Sequence, residues 1–165
     1  MSLTYIQALY FAPFVIPICL WTAWQDMKIM KITNITVLVL LGVFLAIGLL
    51  PLELNEYGWR LAQAGIALVI AFIMTAIGAI GGGDAKFVAA AAAFIAPGDW
   101  IFIGLLFCAT MLVTTVGLRL IRRTAITKLA PDWKCWTTGI VFPMGVALGA
   151  TLALYMVLGL TQTTA

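Results

Sequence analysis

Long apolar runs broken by short polar clusters divide the chain into six stretches: one from near the N-terminus to Trp24, then about 35–52, 61–80, 86–97, 100–118 and 137–160. A helix needs roughly 20 apolar residues to cross a hydrocarbon core of about 30 Å, and five of the six stretches are long enough to be read as crossings. The fourth is short. Its dozen residues would reach about 18 Å at 1.5 Å per residue, so it is either a short spanning helix or a segment that turns back. Pro13 and Pro17 each remove a backbone donor from the first stretch, which predicts a kinked first helix with its freed carbonyls covered by neighbours.

The distribution of basic residues decides the fourth stretch. With six crossings and the N-terminus outside, Lys28, Lys31, Lys86, Arg119, Arg122, Arg123, Lys128 and Lys134 fall on one side and Arg60 on the other. That asymmetry marks the crowded side as cytoplasmic. A turning-back fourth segment would carry the cluster from Arg119 to Lys134 across the membrane and abolish the bias. The expected fold is therefore an all-α integral membrane protein, one domain over 1–165, with six transmembrane helices in one bundle and a short fourth helix.

Composition agrees with this class: 64% of the 165 residues are hydrophobic and 9% charged. The chain contains no histidine, which excludes a Ser-His-Asp triad and a HExxH zinc site, since both need an imidazole. Cys19, Cys108 and Cys135 form no CxxC pair and are read as structural or incidental. The start of the chain has no basic n-region, and the apolar run to Trp24 exceeds a signal-peptide core, so the first helix is expected to stay attached.

Carboxylate chemistry survives these exclusions. A charged side chain at the centre of a spanning helix costs about 2.5 to 3.5 kcal/mol, so acids near membrane depth are usually paired or functional. Asp26 closes the first apolar stretch, and Asp84 lies between the third and fourth in Gly81-Gly82-Gly83-Asp84-Ala85-Lys86. The six-span topology puts both at cytoplasmic helix ends, where they can meet. Two facing carboxylates do not ionise together easily; the ionised one can activate water while the protonated one donates to a carbonyl oxygen. The three glycines are expected to end the third helix, permit positive φ and let another backbone approach. The plain alternative is a tight helix-to-helix turn with Asp84 as an N-cap, and for Asp26 a solvated loop acid beside Lys28 and Lys31.

Asp26-Met27-Lys28-Ile29-Met30-Lys31-Ile32-Thr33-Asn34, followed by Gly81-Gly82-Gly83-Asp84-Ala85-Lys86, resembles the prepilin peptidases, which are GxGD-type aspartyl proteases. The short length and six-span layout look like the small members that process Flp-type (tight-adherence) prepilins. The resemblance implies that Asp26 and Asp84 form the catalytic pair of an enzyme of the bacterial inner membrane. Such an enzyme cuts a short basic leader from prepilins or pseudopilins at the cytoplasmic face. It implies no cofactor or metal, no nucleic-acid partner, contact with membrane lipid and the possibility of a homo-oligomer. Many relatives carry Ile-Pro-Asn where this chain has Ile32-Thr33-Asn34, which alters the turn before the second helix. No cytoplasmic CxxC region or nucleotide-binding glycine motif is visible, so cleavage without N-methylation is expected.

Supporting residues have two readings each. Lys86 can favour an ionised Asp84 or serve as a positive-inside anchor. Asn34 can orient the first acidic loop or cap the helix that follows, and the cap is favoured. Arg119 to Lys134, with Trp133 and Trp136, reads as an interfacial basic loop. Asp99, Glu53 and Glu56 are read as exposed loop residues on the opposite side, and Ala89 to Ala93 as a close-packing run. A small cation or proton transporter, or a non-catalytic pilus assembly subunit, is the competing class.

Overall fold

The computed structural model describes residues 1–122, 133–137 and 143–162; Arg123, Lys128 and the side chain of Trp136 lie outside the described residues. Among the described residues all regular structure is helical: α1 (Tyr5–Ile29), α2 (Asn34–Ile47), α3 (Leu54–Ala76), α4 (Gly82–Ala92), α5 (Trp100–Ile121), the single turn α6 (Lys134–Thr137) and α7 (Met144–Leu160). Three of these, α1, α3 and α5, are long and apolar enough to cross a membrane. Helices α2 and α7 are shorter and apolar, with 14 and 17 residues.

Local sequence explains where α1 starts and stops. Thr4 and Gln7 form a reciprocal capping box at its N-terminus, each side chain accepting from the other's backbone N–H. At the other end Met30 adopts the left-handed conformation, with φ 55°, and reverses the chain. Asp26 thus occupies the last turn of α1 instead of a loop. Pro13 and Pro17 lie inside the continuous α1.

The successive long helices run in alternating directions, as pairings at the two ends of the bundle demonstrate. At one end Asp26 meets Gly145 and Lys86 meets Asn34. At the other, Gln7, Glu56 and Arg60 come together with Phe94, and Ser2 and Leu3 meet Asp99 and Tyr155. Helix α7 lies closely along α1, with Gly149 and Gly159 at points where a methyl group would fall 2.8 Å from the Cys19 carbonyl and 2.7 Å from Ala8. Small residues at such crossings let backbones approach. Phe11, Phe44 and Phe94 form the aromatic centre of the core, with Tyr57 stacked on Phe44.

Several local expectations change. Helix α3 stops at Ala76 and the chain turns at Gly78, φ 77°, so Gly81 to Gly83 open α4 and do not close α3. None of those three glycines has positive φ. Helix α4 starts at Gly82 and ends at Ala92, and residues 93–99 continue as irregular chain, buried at 93–96 and at 99. Non-helical backbone among apolar helices needs internal partners. Gln63 supplies them by donating to the carbonyls of Ala92 and Ile95, Arg60 donates to that of Phe94, and Tyr155 accepts from Ala96 N–H. Asp99 and Glu56, read from sequence as exposed loop acids, belong to this network: Asp99 is 3% exposed, and Glu56 pairs with the fully buried Arg60 at 2.7 Å. Burial pushes Asp99 up, but donation from Tyr155 Oη and from the N–H groups of Ser2 and Leu3 holds it below the usual carboxylate value. The alanine run is buried at 89, 90, 92 and 93, as a close-packing segment requires, while Ala91 is half-buried.

Candidate active site

Asp26 and Asp84 line one cavity of about 380 Å³, together with Met30, Lys31, Ile32, Gly81 to Gly83 and Met144. Asp26 arrives on the last turn of α1, and Asp84 on the first turn of α4, so neither depends on a long free loop for its position.

Asp26 is buried, 4% exposed, and its Oδ2 accepts a 2.7 Å hydrogen bond from the N–H of Gly145 in the first turn of α7. A helix N-terminus presents unpaired N–H groups and a positive dipole end, which suits a carboxylate held in its charged form. The sequence reading missed Gly145. Its signal was the run Pro143-Met144-Gly145, a helix start followed by a residue with no Cβ.

Asp84 lies ahead of the apolar part of α4 and is half-buried. Burial, and after it the nearby charge of Asp26, raise its pKa to about 6. The two acids therefore differ in environment: Asp26 accepts from a backbone donor at a helix start, while Asp84 feels the added charge of Asp26. The N-cap of α4 is Gly81, and Asp84 stands three residues into the helix without capping it.

The glycines matter through space. A Cβ on Gly83 would fall 3.2 Å from the carbonyl oxygen of Ile32, and one on Gly81 would fall 2.8 Å from Asp84 Oδ2. The loop after α1 and the start of α4 thus touch backbone to backbone beside the cavity.

Lys86 and Asn34 are brought together, with Lys86 Nζ donating to Asn34 Oδ1 at 3.0 Å. This corrects the expectation that Asn34 caps α2: the N-cap is Thr33, which makes no side-chain capping bond, and Asn34 is the first helical residue. Lys86 and Asn34 do not line the cavity itself. Thr33 fits where relatives carry proline because its φ of −79° is close to the proline range. Its hydroxyl donates to Gln25 Oε1 at 3.2 Å and pairs with Thr36, which also reaches Gln25. Gln25 and Thr36 are further residues the sequence reading missed; polar side chains flanking a carboxylate in an apolar stretch were the available sign.

Among the described residues no group of three or more His, Cys, Asp or Glu gathers as metal ligands.

A family model described as the type IV leader peptidase family matches residues 14–117. The chain belongs to the type IV leader peptidase family. The matched segment covers more than half of the chain and contains Asp26, Asn34, Gly81 to Asp84 and Lys86, whereas Gly145 lies beyond it. Membership assigns the protein to the peptidases, and the apolar helices place it among membrane proteins. No curated protein and no solved structure matches it significantly.

Proposed function

We propose that the protein is an aspartyl endopeptidase of the bacterial inner membrane that removes the short basic leader from type IV prepilins or pseudopilins of the Flp class. The observation that carries this reading is the shared cavity of Asp26 and Asp84 at one end of the bundle, walled by the glycines of the GGGD segment. In a six-span arrangement with the N-terminus outside, that end is cytoplasmic. The described basic residues Lys28, Lys31, Lys86, Arg119, Arg122 and Lys134 cluster there, and Arg60 lies at the far end, which favours the orientation.

In this mechanism Asp26 is the base and Asp84 the acid. Water held between them loses a proton to the Asp26 carboxylate as its oxygen attacks the scissile carbonyl carbon. Asp84 gives its proton to the carbonyl oxygen, producing a neutral gem-diol. Asp26 then passes its proton to the leaving nitrogen while Asp84 takes one back from a hydroxyl of the gem-diol, and the C–N bond breaks. Both acids return to their starting states. The absence of side-chain bulk at Gly81 to Gly83 leaves room for an extended substrate backbone along this wall.

Both acids at one end support a peptidase over a transporter, whose acids would be spaced along a path through the membrane. The test is co-expression of a short-leader Flp-type prepilin with wild type, Asp26→Asn or Asp84→Asn at matched membrane levels, read as a mobility shift on an immunoblot. Wild type should cleave and neither variant should. Cleavage by either variant would remove that aspartate from the mechanism.

A further inference from the structure

We propose that the apolar groove between α3 and α5, floored by α4, seats the membrane-embedded helix of the substrate that begins just after the scissile bond. This inference rests on the peptidase reading above. Two cavities form the groove. The larger, about 680 Å³, is walled by one stripe of α3 that includes Trp59, Ile66, Ile70 and Met74, and by Ala85 and Val88 of α4. The second, about 340 Å³, continues it toward α5 and α7, sharing Ile80, Val88 and Trp100 with the first.

Continuity with the acids identifies the occupant. Ile80 and Ala85, which line the larger cavity, bracket the Gly81 to Asp84 wall of the dyad cavity, and Met144 is common to the dyad cavity and the second apolar one. A chain leaving the dyad in this direction enters the groove at once. The stripe from Trp59 to Met74 is about 22 Å long at 1.5 Å per residue, a length that matches some fifteen residues of a helix laid alongside it.

Chemistry narrows the occupant to an apolar helix. Neither cavity is lined by a charged residue. The polar side chains that reach them are already used: Gln63 donates to Ala92 and Ile95 carbonyls, and Thr151 bonds Ala147 and Thr110. The dyad cavity, by contrast, carries Asp26, Lys31 and Asp84. A polar segment at the acids and an apolar helix in the groove would place the bond joining them beside the dyad.

Packing leaves this side open. Helix α3 is held to the bundle through α4, and α5 through α7, whereas α1 is flanked by α2 and α7. The short α4 contributes small residues to both cavities, Ala85 to the larger and Ala91 to the second. Small side chains at such positions admit a close helix crossing.

The test places photoreactive benzoylphenylalanine at Ile70 or Val88 in the groove, and at Phe72 or Leu38 on lipid-facing surfaces, in the full chain in membranes with a tagged Flp-type prepilin. Cleavage by unmodified wild type is scored in parallel. Capture from positions 70 and 88, with little from 72 and 38, is the expected result. Capture from 72 or 38 but not from 70 or 88, with wild-type cleavage intact, overturns the groove and leaves the peptidase reading standing. Failure of wild type to cleave any prepilin overturns both. Ala67→Trp, which fills the groove away from the acids, should raise KM about tenfold with kcat held within about twofold. An unchanged KM in that variant would count against the groove.

Discussion

The N–H of Gly145 donates to Asp26 Oδ2 at 2.7 Å, joining the last turn of α1 to the first turn of α7 across 119 positions of sequence. A Cβ at position 145 would lie 2.9 Å from that oxygen and 3.0 Å from Ile32 Cδ1, so even alanine must push the carboxylate or the loop behind it. A displacement of about 1 Å in a catalytic group can cost on the order of a hundredfold in rate. Gly145→Ala is therefore expected to lower kcat for prepilin cleavage by about ten- to a hundredfold, with membrane insertion retained. Kinetics on detergent-purified protein check this; full kcat would show that α7 does not position Asp26.

Protonation of Asp84 should set the alkaline limb of activity. Its pKa is raised to about 6 by burial and by Asp26, and the proposed mechanism uses the protonated form. kcat/KM, which reports the free enzyme, should then fall about tenfold per pH unit above that value. The same shift has a stability consequence. The folded state binds the Asp84 proton more tightly than the unfolded chain, so this contribution is full at pH below the ordinary carboxylate range and disappears as pH rises through about 6. A flat kcat/KM from pH 5 to 8 would remove Asp84 as the acid.

The acids were legible because apolar surroundings make a lone carboxylate conspicuous, and the GGGD segment marks a helix junction wherever that junction falls. Helix ends were less legible. The chain turns at Gly78, three residues before the glycine run, because a single left-handed residue suffices to end α3. Glu56 and Asp99 were misplaced for a different reason: charge near an apolar boundary reads as loop, and their satisfaction by Gln7, Arg60, Tyr155 and backbone N–H groups exists only after the helices pack. Gly145 was missed because its role is that of a backbone donor, and the run Pro143-Met144-Gly145 signals a helix start without naming the acid it serves.

The Lys86 to Asn34 bond ties the second turn of α4 to the first turn of α2 on an exposed face. Exposed contacts of this kind contribute about 0.2 to 1 kcal/mol, so Lys86→Met and Asn34→Ala should each destabilise slightly. Because both residues lie beside the segment that carries Asp84, their effects on cleavage should be larger than their effects on melting, and should not add in the double variant. A double-mutant cycle on kcat/KM measures this. Strict additivity would show that the pair does not act as a unit, and Lys86 would then be left with its anchoring role alone.

Arg60 carries the heaviest structural demand at the far end of the bundle. It is fully buried and donates to Glu56, to Gln7 Oε1 and to the carbonyl of Phe94, just past the end of α4. Arg60→Met removes the cation and leaves Gln7 Oε1 and the Phe94 carbonyl without it in a buried layer, and Glu56 without it at that layer's edge. Breaking one side of a fully buried ion pair costs about 3 to 5 kcal/mol; with Glu56 one-third exposed the loss should be smaller than that and still appear as a drop in thermal stability in detergent. Arg60→Lys keeps the charge but cannot reproduce the planar fork that reaches several acceptors at once, so its stability should fall between the two. Arg60→Met combined with Glu56→Gln should recover part of the loss, since the orphaned charge is gone. Wild-type melting in Arg60→Met would mean that water or lipid headgroups reach this layer and that the Phe94 carbonyl does not depend on Arg60.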